Sequence, residues 1–587
     1  MPDVYLVTPA PDVPVARFEL FCGYLGKTAS EIRTVPSLAE GMRIHGEKGD
    51  LSGDSPGVNR VLLVLGKAAQ AVTGAPDALG DGFVIQFPEP HVMVIAAATG
   101  NGLWHGMVEF LERYLGIRWL FPGKEGEVVP EHRDLAVSRR PVRQKPHFEH
   151  RFLSGLLGPG HREWAEFQRM QYKIHRHHNM INLFPPETYM KSHPHFYPVI
   201  DGKRRLPANN EVYSWQPCFS DEELLAESIS VVNRWFDEHP EESSISLGTN
   251  DSMFWCQCDR CLPRYGAKNE LGLDDTSDVY YTWANKVVEA VLKRHPDKWF
   301  GVLAYSNLLE PPKRVPIHPR IVPFLTYERL KWRRRKERRR GLARERTFHR
   351  KAANVGLYDY YYGTPYLLPR PTFHSVATEL RHAARRGIRH FYAEAYPNWG
   401  EGPKIYLVLK LLWNPKADPE PLLKDWYRAA VGPEAAPYLE DYFAHWERFW
   451  MKRVRKLEWF RAPGQYLFFG ETEYLKPLTH EDVTHSEYLL REVVAKSRTP
   501  EQKARAELFV QSFEWYRANA LSYLGLVKGD MGGRTKEELL AIDLERYALI
   551  EAGRDHPFLF QYVRFDRFRN LNLLNWGHPE KYIVTPL

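Results

Sequence analysis

The chain has 587 residues, of which 43% are hydrophobic and 26% charged, and its formal net charge is +7. This composition is ordinary for a folded globular protein, and the length leaves room for roughly three or four domains. No stretch approaches the ~18 consecutive apolar residues of a transmembrane helix, so we expect no membrane span. The N-terminus lacks a basic start followed by an apolar core, which predicts a cytoplasmic protein, or a periplasmic or secreted one if a leader was removed.

The first 140 residues predict a small α/β domain. RVLLVLG (60–66) is typical of a buried strand, and GFVIQF (82–87) and HVMVIAAA (91–98) predict two strands joined by a short turn. The amphipathic pattern of residues 101–119 predicts a helix that is followed by a further strand. We therefore expect an N-terminal α/β domain over 1–140.

Between residues 141 and 402, strand-like and helical segments alternate. The eight strand candidates are 147–155, 179–184, 214–219, 243–251, 298–306, 321–329, 354–363 and 388–396. Helices are predicted in most gaps, including REWAEFQRMQYKIHRH at 162–177. Eight βα units over about 250 residues match the size of a (β/α)8 TIM barrel. A doubly wound open sheet is the alternative, but the sequence has no glycine-rich phosphate turn. We predict an α/β fold with a catalytic barrel over 141–402.

From residue 403 onward, apolar residues recur at helical spacing almost to the end of the chain. This pattern predicts a C-terminal α-helical domain over 403–587. Its apolar stripes are more typical of a packed core than of a partner surface, although a homo-oligomer stays open.

A basic run at 331–351, KWRRRKERRRGLARERTFHRK, carries much of the excess positive charge. Such a run can bind nucleic acid. Glutamates are mixed into it and strand-like segments flank it, which favours a solvated helix of the repeating unit. Since no nucleic-acid-binding motif accompanies the charge, we expect no nucleic-acid partner.

Acidic residues at strand ends are the candidates for chemistry, because barrel enzymes carry their active sites at the carboxyl ends of the strands. Asp251 and Glu394 each end a strand candidate beside aromatic residues. Glycoside hydrolysis uses two carboxyl groups, one to protonate the leaving oxygen and one as nucleophile or base. We predict Asp251 as the general acid, Glu394 as the base or nucleophile, and Asp359 in reserve. Each acid taken alone could instead be a helix cap or a salt-bridge partner.

Aromatic and polar residues near the strand ends are predicted to bind the substrate. The 17 Trp, 31 Tyr and 30 Phe suit a ligand that stacks on rings, which sugars and nucleic-acid bases both do. The alternative is that these aromatic residues fill a large core. The basic charge favours an anionic substrate such as a uronic or sulfated sugar. The predicted substrate-binding residues are Arg151, His193, Arg204, Asn250, Trp255, Tyr305, Tyr360, Tyr392 and Trp399.

Three of the five cysteines, Cys256, Cys258 and Cys261, have C-x-C-x2-C spacing. A zinc site usually needs a second pair of ligands, and the remaining cysteines, Cys22 and Cys218, belong to separate segments. Three interpretations are open: a structural metal site, a disulfide within the loop, and reduced cysteines in the loop. The last is favoured. We therefore predict no metal and no cofactor.

Several blocks of the sequence resemble a known family in order and spacing. They are GLWHGMVEFLERYLGIRWLFPGKEGEVVP (102–130), HPHFYPVIDGKRR (193–205), TNDSMFWCQCDRC (249–261), YDYYYG (358–363), FYAEAYPNWG (391–400) and YLVLKLLWNPKADPEPLLKDWYRAAVG (406–432). The family is a bacterial, glycoside-hydrolase-like one catalogued as domain of unknown function 4838. It is similar in layout to α-glucuronidases and β-hexosaminidases, so the resemblance implies an α/β domain before a (β/α)8 barrel and a carbohydrate substrate.

The resemblance carries over no catalytic residue. Hexosaminidases have an Asp-Glu pair after the fourth strand, where this chain has Asn250-Asp251. Together, the positional pattern and the resemblance predict an exo-acting glycoside hydrolase of a polysaccharide or oligosaccharide, with a uronic or otherwise anionic sugar favoured. The alternative is a non-catalytic carbohydrate-binding protein on a glycoside-hydrolase-like scaffold.

Overall fold

A computed structural model describes residues 3–7, 13–28, 31–35, 60–74, 79–89, 92–130 and 139–559 of the chain. The described residues form two six-stranded β-sheets, two short strand pairs and many helices. None of the helices in these ranges combines the length and the apolar character that crossing a bilayer requires.

The first sheet is built from the N-terminal part of the chain. The strands of this part are β1 (Asp3–Val7), β2 (Glu31–Val35), β3 (Arg60–Leu65), β4 (Phe83–Glu89), β5 (Val92–Ala96), β6 (Arg118–Trp119), β7 (Glu127–Val128) and β8 (Val142–Gln144). The helices are α1 (Val15–Thr28), α2 (Gly66–Thr73) and α3 (Gly100–Arg113). The sheet order is β2-β1-β3-β5-β4-β8. The predicted strand pair is confirmed, since β4 and β5 are antiparallel with Ile85 opposite Ile95.

The second sheet is curled, and all of its strands are parallel. The strands of this part are β9 (His150–Ser154), β10 (Val199–Ile200), β11 (Lys203–Arg204), β12 (Ser244–Ser246), β13 (Trp299–Ala304), β14 (Ile321–Thr326), β15 (Gly356–Tyr360) and β16 (His390–Glu394). The helices are α4 (His161–Phe167), α5 (Met180–Leu183), α6 (Pro186–Tyr189), α7 (Glu222–Glu238), α8 (Ser277–Val291), α9 (Arg335–Lys351) and α10 (Phe373–Arg385). The sheet order is β12-β13-β14-β15-β16-β9, and β10 and β11 form a separate hairpin.

Two of the eight strand candidates are not strands, which corrects the predicted barrel. Residues 179–184 contain the short helix α5, because the carbonyl of Asn179 accepts the N–H of Asn182 at 3.0 Å and turns the chain. Residues 214–219 are an irregular loop in which Pro217 has no N–H for a strand ladder. Short buried apolar runs such as these do not distinguish a strand from a helical turn.

An irregular segment, residues 170–178, links the two edge strands of the second sheet. Gln171 bridges to Arg151 of β9, and His178 bridges to Gly248 just beyond β12. The helix predicted here therefore ends early, with α4, because the backbone groups of this segment find partners along the sheet edges instead. The part of the chain over 141–402 thus shows one sheet of six parallel strands, where the predicted (β/α)8 TIM barrel requires eight.

The C-terminal part of the described chain is helical, as its periodicity predicts. Its helices are α11 (Lys404–Trp413), α12 (Pro419–Val431), α13 (Ala436–Arg448), α14 (His480–Lys496), α15 (Pro500–Ser522) and α16 (Lys536–Ala552). The loop between α13 and α14 reaches the second sheet through Gln465. Its Nε2 donates to the carbonyl of Thr326 at 2.8 Å, and its Oε1 accepts the N–H of Ser306 at 3.2 Å. This loop therefore lies at the carboxyl ends of β13 and β14.

Candidate active site

The candidate site is formed by side chains that share one face of β15 and β16. In the parallel register, Tyr358 lies opposite Tyr392, and Tyr360 lies opposite Glu394. Alternating side chains point to opposite faces of a strand, so Asp359 points the other way. The rings of Tyr358 and Tyr392 are in contact, with 4.4 Å between their centroids. They belong to a tyrosine cluster in which ring contacts join Tyr358, Tyr360, Tyr362, Tyr392 and Tyr466. We include Tyr305 in the cluster because its phenol contributes to raising the pKa of Tyr360.

Glu394, the last residue of β16, is a half-buried carboxylate held by two phenols. The hydroxyl of Tyr358 donates to its Oε1, and the hydroxyl of Tyr362 donates to its Oε2. Burial, together with the nearby Glu394 carboxylate, raises the pKa of both phenols, so they remain protonated donors. The carboxylate is therefore fixed in orientation by β15 and the residues that follow it.

Asp251 lies in the loop after β12, and its side chain is exposed. The hydroxyl of Tyr305, which follows β13, donates to Asp251 Oδ1 at 2.8 Å. Gln216 clamps the residues on both sides of Asp251. Its side chain accepts the N–H of Asn250 at 3.0 Å and donates to the carbonyls of Asn250 and Ser252 at 2.7 and 2.9 Å. Asp251 therefore faces solvent from a loop that the hydrogen bonds of Gln216 hold in place.

Asp251 and Glu394 border the same tyrosine cluster. After burial, both carboxylates contribute to raising the pKa of Tyr360, and both also contribute at Tyr305. Tyr305 thus donates to Asp251, Tyr360 lies opposite Glu394 in the strand register, and each phenol is also influenced by the charge of the other acid. Tyr466 closes this side of the cluster from the C-terminal helical part, with its ring centroid 4.9 Å from that of Tyr360. The structure brings the two predicted carboxylates into one aromatic neighbourhood.

Arg176 is a cation that sequence reasoning missed. Its guanidinium carbon lies 3.2 Å from the ring centroid of Tyr392 and 5.7 Å from that of Tyr358. The side chain is buried, and its Nε has no hydrogen-bond partner among the residues that the structure describes. Because the segment was predicted as a helix, the alternation that directs this arginine to the tyrosine cluster was not visible in the sequence.

Asp359, the reserve carboxylate, lies apart from Glu394. It is buried, and its Oδ1 accepts the N–H of Tyr360 at 2.8 Å and the N–H of Arg329 at 3.1 Å. The Arg329 guanidinium lies 3.5 Å from its other oxygen. Burial outweighs these contacts and raises the pKa of Asp359 to about 7. Its partners belong to the opposite face of β15.

A buried charge network lies behind the tyrosine cluster. Arg370 pairs with Glu328, and Lys404 pairs with Glu401. Arg370 Nη1 and Lys404 Nζ each donate to the carbonyl of Tyr362 at 3.3 Å. The network therefore supports the chain at the residue whose hydroxyl holds Glu394.

Replacing Arg370 with methionine is expected to destabilise the protein by about 3–5 kcal/mol, because Glu328 would be left buried without its partner. Denaturation followed by tryptophan fluorescence would show a lower midpoint. The matched control is Arg385→Met at an exposed position of α10, where we expect a change within about 0.5 kcal/mol. Equal midpoints for the two variants would rule out a stabilising role for the network.

Two predicted substrate-binding residues, Arg151 and Trp399, are packed elsewhere in the protein. Arg151 is buried, and its Nε donates to the carbonyl of Arg169 at 2.6 Å. Its Nη2 lies 3.3 Å from Nε2 of His105 in α3, and burial lowers its pKa to about 9. Trp399 is also buried, and its Nε1 donates to His161 at 3.0 Å. These contacts join β9 to α3 and the loop after β16 to α4.

Asn250 and Trp255 are likewise engaged by the protein itself. The amide of Asn250 accepts the N–H of Ile181 at 2.9 Å and donates to the carbonyl of Trp215 at 3.0 Å. Trp255 is buried, with its ring centroid 5.5 Å from that of Phe219. Both residues therefore stabilise the loop around Asp251.

His193 lies in the loop before the β10–β11 hairpin, and Arg204 is the last residue of β11. His193 Nδ1 is 2.8 Å from the hydroxyl of Ser192, and the ring stacks on Phe196. Arg204 is exposed, and its Nη1 donates to the carbonyl of His195 at 3.0 Å. Of the predicted substrate-binding set, Tyr305, Tyr360 and Tyr392 are the residues found in the tyrosine cluster.

The family model described as "Domain of unknown function (DUF4838)" matches residues 121–444, which confirms the family that the sequence resembles. No curated protein is significantly similar to the chain in sequence. The chain is similar in structure to a GH115 4-O-methyl-alpha-glucuronidase, described as specific for decorated arabinogalactans, with a TM-score of 0.57 and 13% identity over 98% of this chain and 79% of that one. A family 89 glycoside hydrolase from Clostridium perfringens, in complex with GlcNAc-alpha-1,4-galactose, gives a TM-score of 0.47 and 9% identity over 80% and 61%. The GH115 likeness shows a shared fold.

Proposed function

This chain belongs to the DUF4838 family, a domain of unknown function, and we propose that it is a glycoside hydrolase. The observation that carries the proposal is the pair of carboxylates, Asp251 and Glu394, that border one tyrosine cluster at the carboxyl ends of parallel strands. We further propose that the catalytic part, 141–402, is a modified (β/α)8 barrel in which irregular chain replaces two strands. Residues 1–140 and 403–587 form its accessory domains.

Glu394 acts as the base or nucleophile in the proposed reaction. Its two oxygens accept hydrogen bonds from phenols, which holds the carboxylate toward the sugar. Asp251 acts as the general acid. It is exposed and bonded by a single phenol, which suits a group that must reach the leaving oxygen. The rings of the tyrosine cluster supply flat faces on which a sugar can stack.

The substrate in this proposal is a sugar that carries a carboxylate, and it is cleaved from a chain end. Support comes from Arg176, a buried cation for which the described residues offer no ion-pair partner. Leaving a charge buried and unpaired is costly, and a uronate carboxylate would offset that cost. The Arg176 guanidinium carbon lies 5.7 Å from the ring centroid of Tyr358, whose hydroxyl donates to Glu394, so such a ligand would lie near the reacting group.

A panel of aryl glycosides and uronide oligosaccharides tests the proposed activity. The wild-type protein should release a monosaccharide from at least one uronide, and the Glu394→Gln variant serves as the inactive control. Release of the end sugar alone supports exo action, whereas mixed oligosaccharides contradict it. Binding of an oligosaccharide without any cleavage would favour a carbohydrate-binding protein instead.

The Arg176→Met variant tests the uronate assignment. A charge-assisted hydrogen bond contributes about 1.5–3 kcal/mol, so kcat/KM for a uronide should fall roughly 10- to 150-fold. The neutral glycoside of the same configuration should be affected far less. Arg385→Met, at the exposed end of α10, is the control and should leave both rates unchanged. Equal losses on charged and neutral substrates would contradict the uronate role and leave the hydrolase assignment intact.

A further inference from the structure

Four cysteines from two separate loops meet in one cluster. The Sγ atoms of Cys218, Cys256, Cys258 and Cys261 all lie within 4.8 Å of one another. Cys218 Sγ is 3.7 Å from that of Cys258 and 3.8 Å from that of Cys261. None of the four forms a disulfide; Cys218, Cys256 and Cys261 are buried, and Cys258 is half-buried.

These distances match a tetrahedral metal–thiolate centre. With Zn–S bonds of about 2.3 Å, a tetrahedral site places neighbouring sulfurs about 3.8 Å apart. A set of four cysteines without an open position is typical of a structural zinc site, and S4 tetrahedra select zinc or iron among the common metals. We propose that Cys218, Cys256, Cys258 and Cys261 bind one zinc ion as a structural tetrathiolate site.

The surroundings of the cluster suit bound thiolates. The N–H of Val199, at the start of β10, donates to Cys256 Sγ at 3.4 Å. The Ser220 hydroxyl oxygen lies 3.3 Å from Cys261 Sγ. Arg260 follows Cys258 by two residues and places a positive charge in the same turn, where it pairs with Asp221 at 2.7 Å. Contacts of this kind orient metal ligands.

The turn that carries the last two ligands is compact. The N–H groups of Cys261 and Leu262 both donate to the carbonyl of Cys258, at 2.9 and 3.1 Å. The fourth ligand, Cys218, is 40 residues from Cys258 in the sequence. Sequence spacing therefore shows three ligands, and the fold supplies the fourth from the loop before α7.

The zinc site would also tie down the loop that carries Asp251. Gln216, whose side chain clamps Asn250 and Ser252, lies two residues before Cys218. A metal ion that joins Cys218 to Cys256 would therefore fix the chain on both sides of Asp251. The zinc site does not depend on the proposed hydrolase activity. The role of zinc in positioning Asp251 does rest on that proposed function.

Metal analysis of the full-length protein tests the site without any substrate. Protein purified with zinc and without chelators should contain about one zinc per chain by mass spectrometry of the metal. Cys218→Ser and Cys258→Ser should each lower this ratio well below one, while Cys22→Ser, in helix α1, should keep it. Cobalt exchanged into the wild-type protein should give the intense visible bands of tetrahedral thiolate coordination, and Cys258→Ser should lose them.

Further readouts keep the test independent of variant folding. In the wild-type protein, modification of the thiols should release zinc to a chromogenic chelator, and zinc removal should lower Tm. Any one of four results would overturn the proposal: a zinc-free wild-type protein, iron in place of zinc, a disulfide within the cluster, or full zinc content in Cys258→Ser. Because zinc content is measured directly, a protein that holds zinc but cleaves no glycoside would contradict only the proposed function.

Discussion

Replacing Glu394 with glutamine should lower kcat by about 10²–10⁴-fold and leave KM nearly unchanged. Glutamine keeps the size of the side chain, and its carbonyl can still accept a hydrogen bond from Tyr358 or Tyr362. An amide cannot attack the anomeric carbon or take a proton from water, so the chemical step should be lost while sugar binding persists. Steady-state kinetics on the substrate identified by the glycoside panel would measure the change.

The matched control for this variant is Glu149→Gln. Glu149 precedes β9 and pairs with Arg389 at an exposed position, so its loss should change neither kcat nor Tm. The kcat of Tyr362→Phe should lie between those of Glu394→Gln and Glu149→Gln, because Tyr358 remains as one of the two donors that orient Glu394. Wild-type kcat in Glu394→Gln, with the control behaving as expected, would remove Glu394 from the mechanism.

The strands that place Glu394 were predictable because each is a short run rich in apolar and aromatic residues between segments of helical periodicity. The run at β14 is buried along its whole length, as expected for a parallel strand covered on both faces. Alternation along β15 fixes which tyrosines share the face of Glu394, but the sequence alone leaves open which face is inward. The face to which Asp359 points therefore became clear only from its ion pair with Arg329 in the structure.

The parts of the site that could not be predicted depend on contacts far apart in the sequence. Arg176 belongs to a segment whose apolar spacing is helical. The backbone groups of that segment nevertheless form their hydrogen bonds with the edges of the sheet. Cys218 joins the other cysteines only because the loop before α7 folds against the loop after β12. Local propensity is a weak guide wherever tertiary contacts of this kind compete with it.

Asp251→Asn should have an effect that depends on the leaving group of the substrate. An asparagine cannot protonate the leaving oxygen, so turnover of a natural oligosaccharide should fall by about 10²–10⁴-fold. An aryl glycoside with an acidic phenol needs little protonation and should be cleaved at a rate much closer to that of the wild-type protein. The side chain is exposed and bonded through Tyr305, so the substitution should leave Tm unchanged.

Comparison of the two substrate types separates a general acid from other roles. Asp201→Asn, at an exposed turn with positive φ that asparagine tolerates, is the control and should cleave both substrates normally. A loss in Asp251→Asn of the same size on both substrates would assign Asp251 to the attack on the anomeric carbon, where Glu394 is proposed to act. The leaving-group dependence therefore decides which carboxylate donates the proton and which one attacks.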